Sequence, residues 1–158
     1  MNPPASLADI DWSTWQAKDT ATLAFVIKDG QILLIRKKRG LGAGKINGPG
    51  GRLEGNETIA ACAVREAQEE LGITPLNPEK RGELKFQFVD GYSIHVHVFR
   101  AYDLEGTPVE TDEAIPIWAN LDAVPYDEMW EDDEIWVPLL LEGKAFSGQF
   151  IFDDDKIQ

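Results

Sequence analysis

The hydrophobic and polar positions of this chain alternate in several runs, and pairs of turn residues separate those runs. In "TLAFVIKDGQILLIRKK", two apolar runs flank Asp29-Gly30, a dipeptide typical of a tight β-hairpin. In "ELKFQFVDGYSIHVHVFRAY", the alternation continues on both sides of Asp90-Gly91. The pattern predicts two hairpins, and shorter apolar runs predict a further strand at "IPIWANL" and a closing strand at "GQFIF".

Within the second hairpin, the alternation separates apolar from polar side chains. Apolar residues share one face of each strand: Leu84, Phe86 and Phe88 in the first, and Ile94, Val96 and Val98 in the second. His95 and His97 project from the opposite side of the second strand, because side chains two positions apart share a face. The simplest interpretation is that both are ordinary residues of a half-exposed strand, and a pair of metal ligands is the alternative.

One stretch between the two hairpins has helical periodicity. Thr58 is a suitable N-cap for this helix, and Gly72 suits the position after its last turn. "DEIWVPLLLEGK" predicts a second, shorter helix, whereas the six glycines of "RGLGAGKINGPGG" predict a loop without regular structure. The apolar residues of the first helix recur every four positions and predict a buried face: Ile59, Ala63, Ala67 and Leu71.

These elements indicate a layered domain of the α/β (α+β) class, with mostly antiparallel strands and helices on either side. The 158 residues are enough for one domain with a substantial core, and we assign residues 21–158 to it. Residues 1–20 lack clear periodicity, and Pro3 and Pro4 disfavour a structured start. We expect an N-terminal arm there, docked by Trp12 and Trp15.

Charge and composition exclude several classes of partner. The net charge of −13 argues against binding to a nucleic acid polymer or to an anionic membrane. No run approaches the ~20 apolar residues of a membrane span. Cys62 is the one cysteine and cannot form an intramolecular disulfide, and the N-terminus has no signal-peptide pattern. We therefore expect a cytoplasmic protein with no membrane partner.

The charged residues are unevenly distributed along the chain. No acidic residue occurs between Asp29 and Glu54, where six of the fifteen basic residues lie. The helix that follows carries Glu66, Glu69 and Glu70 in one sector about 100° wide, where like charges cost a few tenths of a kcal/mol per pair, roughly. That sector borders the apolar stripe, so we expect these glutamates to be partly exposed. A basic loop beside a carboxylate-rich helix suits an anion bridged to cations.

The spacing of these residues resembles the Nudix box, Gly-x5-Glu-x7-Arg-Glu-U-x-Glu-Glu-x-Gly-U, in which U is aliphatic. Gly51, Glu57 and the run from Arg65 to Ile73 supply every fixed position, with Ala67 at the first U. The resemblance implies the Nudix fold, a mixed β-sheet in an α/β/α sandwich. It also implies hydrolysis of a nucleoside diphosphate linked to another group, and a structural pair of Glu57 and Arg65 that holds the loop against the helix.

The same resemblance implies a metal centre. Glu66, Glu69 and Glu70 would carry the metal together with the carbonyl of Gly50, and Glu70 or Glu69 would assist the attacking water as base. Gly50 and Gly51 would let the backbone approach metal or phosphate closely. The expected cofactor is Mg²⁺, with Mn²⁺ as a substitute, because a pyrophosphate linkage repels hydroxide unless divalent cations neutralise it and Mg²⁺ takes oxygen ligands.

A narrower resemblance, to the MutT-type oxidised purine nucleoside triphosphatases, covers about residues 22–152. It is carried by "KKRGLGAGKINGPGGRLEGNET", "GTPVETDE" and "VPYDEMWEDDEIWVPLLLEGKAFSGQF". This resemblance implies that Glu113 joins the metal shell. It also assigns contacts to Thr22 and Lys37 with the nucleotide, and to Asn47, Trp130, Asp132 and Asp133 with the purine.

The chemistry of these residues suits the implied roles. Trp130 offers a flat face for stacking, and the Asn47 amide can donate and accept at a purine edge. If Asp132 and Asp133 are close and partly buried, they would resist double ionisation and could share one proton. The alternatives are a solvated acidic helix start at "WEDDE" and a solvated strand end at Lys37.

We therefore expect Mg²⁺-dependent hydrolysis of oxidised purine nucleoside triphosphates, such as 8-oxo-dGTP and 2-hydroxy-dATP, to the monophosphate and pyrophosphate by a monomer. A Nudix hydrolase of another nucleotide, such as dGTP or ADP-ribose, is the first alternative. A non-catalytic nucleotide-binding regulator is the second. Such a regulator would be expected to lose metal glutamates, whereas Glu66, Glu69 and Glu70 are all present.

Overall fold

The frame of the fold consists of strands joined by tight turns, as the alternating pattern predicted. The computed structural model describes residues 6–158. Asp29 and Gly30 have φ angles of 54° and 74°, which suits a two-residue hairpin turn. In chain order, the elements are β1 (Asp19–Lys28), β2 (Gln31–Lys37), β3 (Ile46–Asn47), β4 (Gly50–Arg52), α1 (Ile59–Leu71), β5 (Thr74–Pro75), β6 (Glu79–Phe88), β7 (Ser93–Ala101), β8 (Leu104–Glu105), β9 (Ala114–Asn120), α2 (Asp133–Leu141), β10 (Phe146–Asp153) and β11 (Lys156–Ile157).

Nine of the strands within residues 6–158 form one sheet. Along its main path the order is β11-β10-β6-β7-β1-β2-β3, while β4 pairs with β1 and β9 pairs with β2. The pairings β1–β7 and β6–β10 are parallel, and the others are antiparallel. The prediction of a mixed sheet is therefore confirmed.

Alternation along β1 directs apolar side chains to both faces of this sheet. Phe25 packs in one core cluster with Trp136 of α2, whereas its neighbour Val26 packs in another cluster with Leu71 of α1. Since side chains one position apart point to opposite faces, the sheet lies between the two helices. The α/β/α sandwich that the sequence predicted is confirmed.

The first helix begins and ends where its capping residues predicted. Thr58 Oγ1 accepts a hydrogen bond from the Ala61 amide at 3.1 Å, and Gly72 is left-handed with φ 71°, which satisfies both helix ends. Ala63, Ala67 and Leu71 are fully buried. Ile59, in the first turn, is partly buried and packs against the cluster around Phe99.

The prediction that "RGLGAGKINGPGG" has no regular structure is wrong at two places. β3 pairs with β2 through Ile35 and Asn47, and β4 pairs with β1, with Gly50 opposite Leu23. These strands are two and three residues long, and they form because a longer neighbour already presents its backbone. "GQFIF" lies in β10 and is not the closing strand, since β11 follows it.

The arm ahead of β1 contacts the sheet through Trp15. Its indole Nε1 donates to Gln87 Oε1 at 2.8 Å, and the Trp12 ring lies 5.3 Å from the Trp15 ring, centroid to centroid. The expectation about Pro3 and Pro4 falls on residues outside the described range. The domain boundary at residue 20 stays a prediction. No helix in residues 6–158 is long and apolar enough to cross a bilayer.

Candidate active site

A cavity of about 570 Å³ is bordered by β1, β4, α1 and the segment that leads into α2. Apolar side chains of the sheet, including Phe86 and Ile94, form part of its wall. Glu57, Arg65 and Glu69 lie outside that wall. All the other predicted site residues line the cavity: Thr22, Lys37, Asn47, Gly50, Gly51, Glu66, Glu70, Glu113, Trp130, Asp132 and Asp133.

Two glutamates of α1 form a buried acidic wall of the cavity. Glu66 and Glu70 are only 8% and 2% exposed, and the Gly50 amide donates to Glu70 Oε1 at 2.6 Å. Burial raises the pKa of Glu70 to about 8, with the charge of Glu66 as a smaller cause. Burial likewise raises the pKa of Glu66. Ionising both carboxylates here is unfavourable unless positive charge lies close to them.

The third glutamate of the helical sector has different surroundings. Glu69 is exposed, and its Oε2 accepts from Arg65 Nη1 at 3.1 Å. The prediction that all three glutamates are partly exposed is therefore wrong for Glu66 and Glu70. The reason is that β4 packs against this face of α1, so the positions nearest the apolar stripe are covered.

Arg65 connects the loop after β4 to the helix. Its Nη2 and Nε donate to the two carboxylate oxygens of Glu57 at 2.6 and 3.0 Å, and its Nη1 donates to Glu66 Oε1 at 2.8 Å. The hydrogen bonds from Arg65 lower the pKa of Glu57 to about 2. A bidentate pair of this kind fixes orientation as well as distance, so Arg65 also restrains the Glu66 carboxylate.

The cavity is also lined by a second pair of buried carboxyls. Asp132 and Asp133 are 2% and 3% exposed, so the alternative of a solvated acidic helix start does not hold. Asp132 Oδ2 accepts from Trp136 Nε1 at 2.7 Å, while Asp133 Oδ2 has no hydrogen-bond partner among the described residues. Burial raises the pKa of Asp132 to about 6. Burial, and then the Asp132 charge, raises the pKa of Asp133 well above its ordinary value.

Trp130 stands beside this carboxyl pair and is held from several sides. The rings of Phe88 and Phe152 contact it edge to face, with centroids 6.1 and 5.4 Å away. Lys45 Nζ lies 5.4 Å from the centroid of the indole and 3.1 Å from Asp155 Oδ2. A cation over one face of an indole is attracted to it, so Lys45 helps to fix the ring.

The remaining predicted residues also line the cavity. Thr22 is buried, with Oγ1 3.4 Å from Cys62 Sγ. The Asn47 Oδ1 accepts from the Gly48 amide at 2.8 Å, which orients the side chain. Lys37 lines the cavity and its charge acts to lower the pKa of Glu70, so it is more than a solvated strand end. Glu113 Oε1 is 3.1 Å from Arg39 Nη2.

Sequence reasoning missed the supporting residues Lys45 and Asp155, which are 110 positions apart. No local pattern brings them together. It also placed Phe86 and Ile94 on an apolar face without recognising that this face lines a cavity. The alternation of the strands was the available signal, but it does not distinguish a cavity wall from a closed core.

Comparison with known proteins gives the family. The model of the NUDIX domain matches residues 17–140. A protein of Danio rerio named oxidized purine nucleoside triphosphate hydrolase is 46% identical over 132 residues, which is 83% of this chain and 85% of that protein. The protein of the same name from Mus musculus is 43% identical over 134 residues, 84% of this chain and 86% of that protein.

A solved structure extends the likeness to the fold. The mutator MutT protein from Bacillus halodurans superposes with a TM-score of 0.78 at 29% identity, covering 88% of this chain and 94% of that one. The domain model matches most of the chain, and the two relatives match over a similar length. Both findings are consistent with the buried carboxylates of Glu66 and Glu70 that form the acidic wall. This chain belongs to the NUDIX family.

Proposed function

We propose that this protein hydrolyses oxidised purine nucleoside triphosphates, such as 8-oxo-dGTP and 2-hydroxy-dATP, to the monophosphate and pyrophosphate. One observation carries the proposal: a single cavity is lined both by buried carboxylates of α1 and by a buried aspartate pair beside an indole. The first arrangement suits a phosphate chain, and the second suits a purine. The activity named for the zebrafish and mouse relatives supports the same assignment.

The acidic wall fits a hard divalent cation. Its donors are carboxylate oxygens, the ligands that Mg²⁺ prefers. Burial raises the pKa of Glu66 and Glu70 despite the contact of Glu66 with Arg65, so a further cation beside them would favour their ionised forms. We propose that these two residues hold Mg²⁺, or Mn²⁺ as its substitute, with the Gly50 carbonyl, Glu69 and Glu113. When bound, the metal would neutralise the phosphate chain and polarise a water.

Glu70 is the better candidate for the base. It lines the cavity, and the Gly50 amide fixes one of its oxygens. Glu69 is outside the cavity wall, and one of its oxygens accepts from Arg65. Positive charge beside Glu70 would favour its ionised form. The ionised carboxylate would then take a proton from the attacking water as the new P–O bond forms and the bond to the leaving phosphate oxygen breaks. Lys37 would contact the phosphates, since a charged amine attracts them without forming a covalent link.

The aspartate pair would select the base. Burial raises the pKa of both Asp132 and Asp133, and the Asp132 charge raises that of Asp133 further. A proton shared by the two carboxyls would give an O–H donor on one and an acceptor on the other. A donor beside an acceptor, together with the Asn47 amide, would match the edges of both oxidised guanine and oxidised adenine. Trp130 would stack on the ring.

Product analysis over a nucleotide panel tests the proposal. The purified protein with Mg²⁺ would be given 8-oxo-dGTP, 2-hydroxy-dATP, dGTP, dATP and ADP-ribose, and the products separated by ion exchange. We expect monophosphate and pyrophosphate, with kcat/KM for an oxidised nucleotide at least ~10-fold above that for its normal counterpart, because a site built from hydrogen bonds penalises an unmatched edge.

The panel also contains the results that would contradict the proposal. A preference for dGTP or ADP-ribose would leave a Nudix hydrolase of different specificity. Tight nucleotide binding without turnover would indicate a regulator. The monomeric state and the cytoplasmic location stay predictions, for which size-exclusion chromatography with light scattering and cell fractionation are the direct measurements.

A further inference from the structure

Three ligand-bearing side chains meet on the face of the sheet that lies away from the cavity. Ile94 and Val96 of β7 line the cavity, so the alternating residues His95 and His97 point to the other face. On the neighbouring strand β6, Glu83 is paired in register with His97. The cluster therefore bridges β6 and β7 without contributing to the site described above.

The two imidazoles converge on one carboxylate oxygen. Glu83 Oε1 lies 3.5 Å from His95 Nε2 and 3.3 Å from His97 Nδ1, and the two rings are 4.4 Å apart, centroid to centroid. Both nitrogens are buried and have no hydrogen-bond partner among the described residues. Buried polar atoms without a hydrogen-bond partner are uncommon. We therefore expect an additional atom or ion to bind between these three side chains.

The separations match those around a tetrahedral metal ion. Zn²⁺ binds imidazole nitrogen and carboxylate oxygen at about 2.0–2.2 Å, which places two ligand atoms of a tetrahedron roughly 3.3–3.5 Å apart. The three ligand atoms here lie within 4.8 Å of one another, and both contacts to Glu83 fall near the tetrahedral separation. We propose that Glu83, His95 and His97 form an accessory site for a divalent transition-metal ion of the zinc class.

The protonation state of the two histidines supports a metal site here. Burial lowers the pKa of His95, and burial followed by the charge of Lys80 lowers the pKa of His97 to about 4. At neutral pH both rings are therefore neutral, the form that binds metal. Glu83 is partly open to solvent, its side chain being 44% exposed. An ion can enter from that side, and water can complete the coordination.

Two lysines beside the cluster oppose metal binding, so substitutions can be chosen that should either tighten or weaken it. Lys80 Nζ lies 3.0 Å from Glu83 Oε1 and would have to release that oxygen. Lys85 lies opposite His95 across the strands, and its charge also lowers the pKa of His95. Removing the Lys80 charge should tighten metal binding, whereas removing any of the three ligands should weaken it.

The site differs chemically from the acidic wall of the cavity. Imidazole suits zinc, copper, nickel and iron, whereas sites made only of carboxylate and carbonyl oxygens suit magnesium and manganese. Saturating Mg²⁺ should therefore occupy the carboxylates of α1 and leave Glu83, His95 and His97 available. A titration in excess Mg²⁺ separates the two sites.

Zinc binding to the full chain in excess Mg²⁺ is measured by isothermal titration calorimetry. Visible absorption of added Co²⁺ reports imidazole and carboxylate coordination independently. Glu83→Gln and His97→Asn should each weaken Zn²⁺ binding by at least ~100-fold, since even the loss of an outer partner of a metal ligand costs ~10–100-fold. Lys80→Ala should tighten binding by roughly 2–5-fold, the scale of one exposed ion pair. Glu79→Gln removes a carboxylate from the same strand and should change nothing.

Equal Zn²⁺ affinity in the wild type and in Glu83→Gln would contradict the proposed metal site. Weaker binding in Lys80→Ala would also overturn it. Glu83 is exposed enough that its conservative variant should fold even if a histidine variant does not. Because the readout is metal binding, its failure leaves the proposed hydrolase activity untouched, and an inactive hydrolase that still bound Zn²⁺ would leave this proposal standing.

Discussion

The buried Asp132 carboxyl should make the folded protein lose stability as pH rises, and Asp132→Asn should remove that loss. The side chain is 2% exposed, and burial raises its pKa from 3.8 to about 6. Because the folded protein keeps this proton at pH values where the unfolded chain has released it, the free energy of unfolding falls between about pH 4 and about pH 7.

The magnitude follows from the two pKa values. A rise from 3.8 to about 6 corresponds to roughly 3 kcal/mol of stability that is present in acid and lost above the folded-state pKa. Because the Asp132 charge also raises the pKa of Asp133, the two carboxyls titrate as a pair and this loss belongs to both. Asparagine keeps the shape and can still accept from Trp136 Nε1. Asp132 precedes α2 without a side-chain cap bond, so the substitution removes no helix cap.

The measurement is urea unfolding followed by tryptophan fluorescence, from about pH 4 to about pH 8. All other carboxyls titrate as well, so the informative quantity is the wild-type value minus the variant value at each pH. We expect Asp132→Asn to gain about 3 kcal/mol relative to the wild type across this range. Asp127→Asn, an exposed aspartate in the same segment, is the matched control and should follow the wild type. Parallel curves for the wild type and Asp132→Asn would refute the reasoning.

Four further substitutions test the cavity. Glu70→Gln should keep the fold, checked by circular dichroism, and lower kcat by at least ~10²-fold, the scale of a lost general base; near-normal turnover would remove Glu70 from that role. Asp133→Asn should change the ratio of kcat/KM for 8-oxo-dGTP over 2-hydroxy-dATP, with a loss of at least ~10-fold for one of them. Trp130→Ala should instead lower kcat/KM for all purine nucleotides together, because stacking does not depend on the groups at the base edge. Uniform small effects of Asp133→Asn would contradict its role in recognising the base. Gly51→Ala would place a Cβ 2.4 Å from Glu66 Cδ, so it should lower both Mg²⁺ affinity and melting temperature. If both quantities were unchanged, the backbone around Gly51 would be shown to move without cost.

Local features of the chain were predictable from the sequence because they depend on near neighbours. The turn at Asp29-Gly30 and the helix from Thr58 to Gly72 follow from φ preferences and capping over a few residues. The parallel pairing of β1 with β7 joins residues such as Asp19 and Ile94, which no local pattern specifies. The family resemblance implied a mixed sheet, but the pairing of β1 with β7 is known only from the structure.

The burial of the charged side chains was the feature least predictable from the sequence. "WEDDE" has the composition of a solvated turn, yet Asp132 and Asp133 are buried, and Trp136 Nε1 donates to Asp132. The cluster of Glu83, His95 and His97 could be expected only in part. Strand periodicity placed the two histidines together, but the partner strand and its register decide which carboxylate faces them.

The burial of Glu66 and Glu70 has a steric origin that connects the helix pattern to the glycines ahead of it. Ala63 and Ala67 are fully buried, and small side chains there let α1 approach β1 and β4 closely. A Cβ at Gly50 would lie 1.9 Å from the Thr22 carbonyl oxygen, and one at Gly51 would lie 2.4 Å from Glu66 Cδ. Small residues on both sides of this contact therefore bring the carboxylates under the β4 backbone. A larger residue at either glycine would push that backbone away and expose the acidic wall to water, which would weaken its hold on a cation.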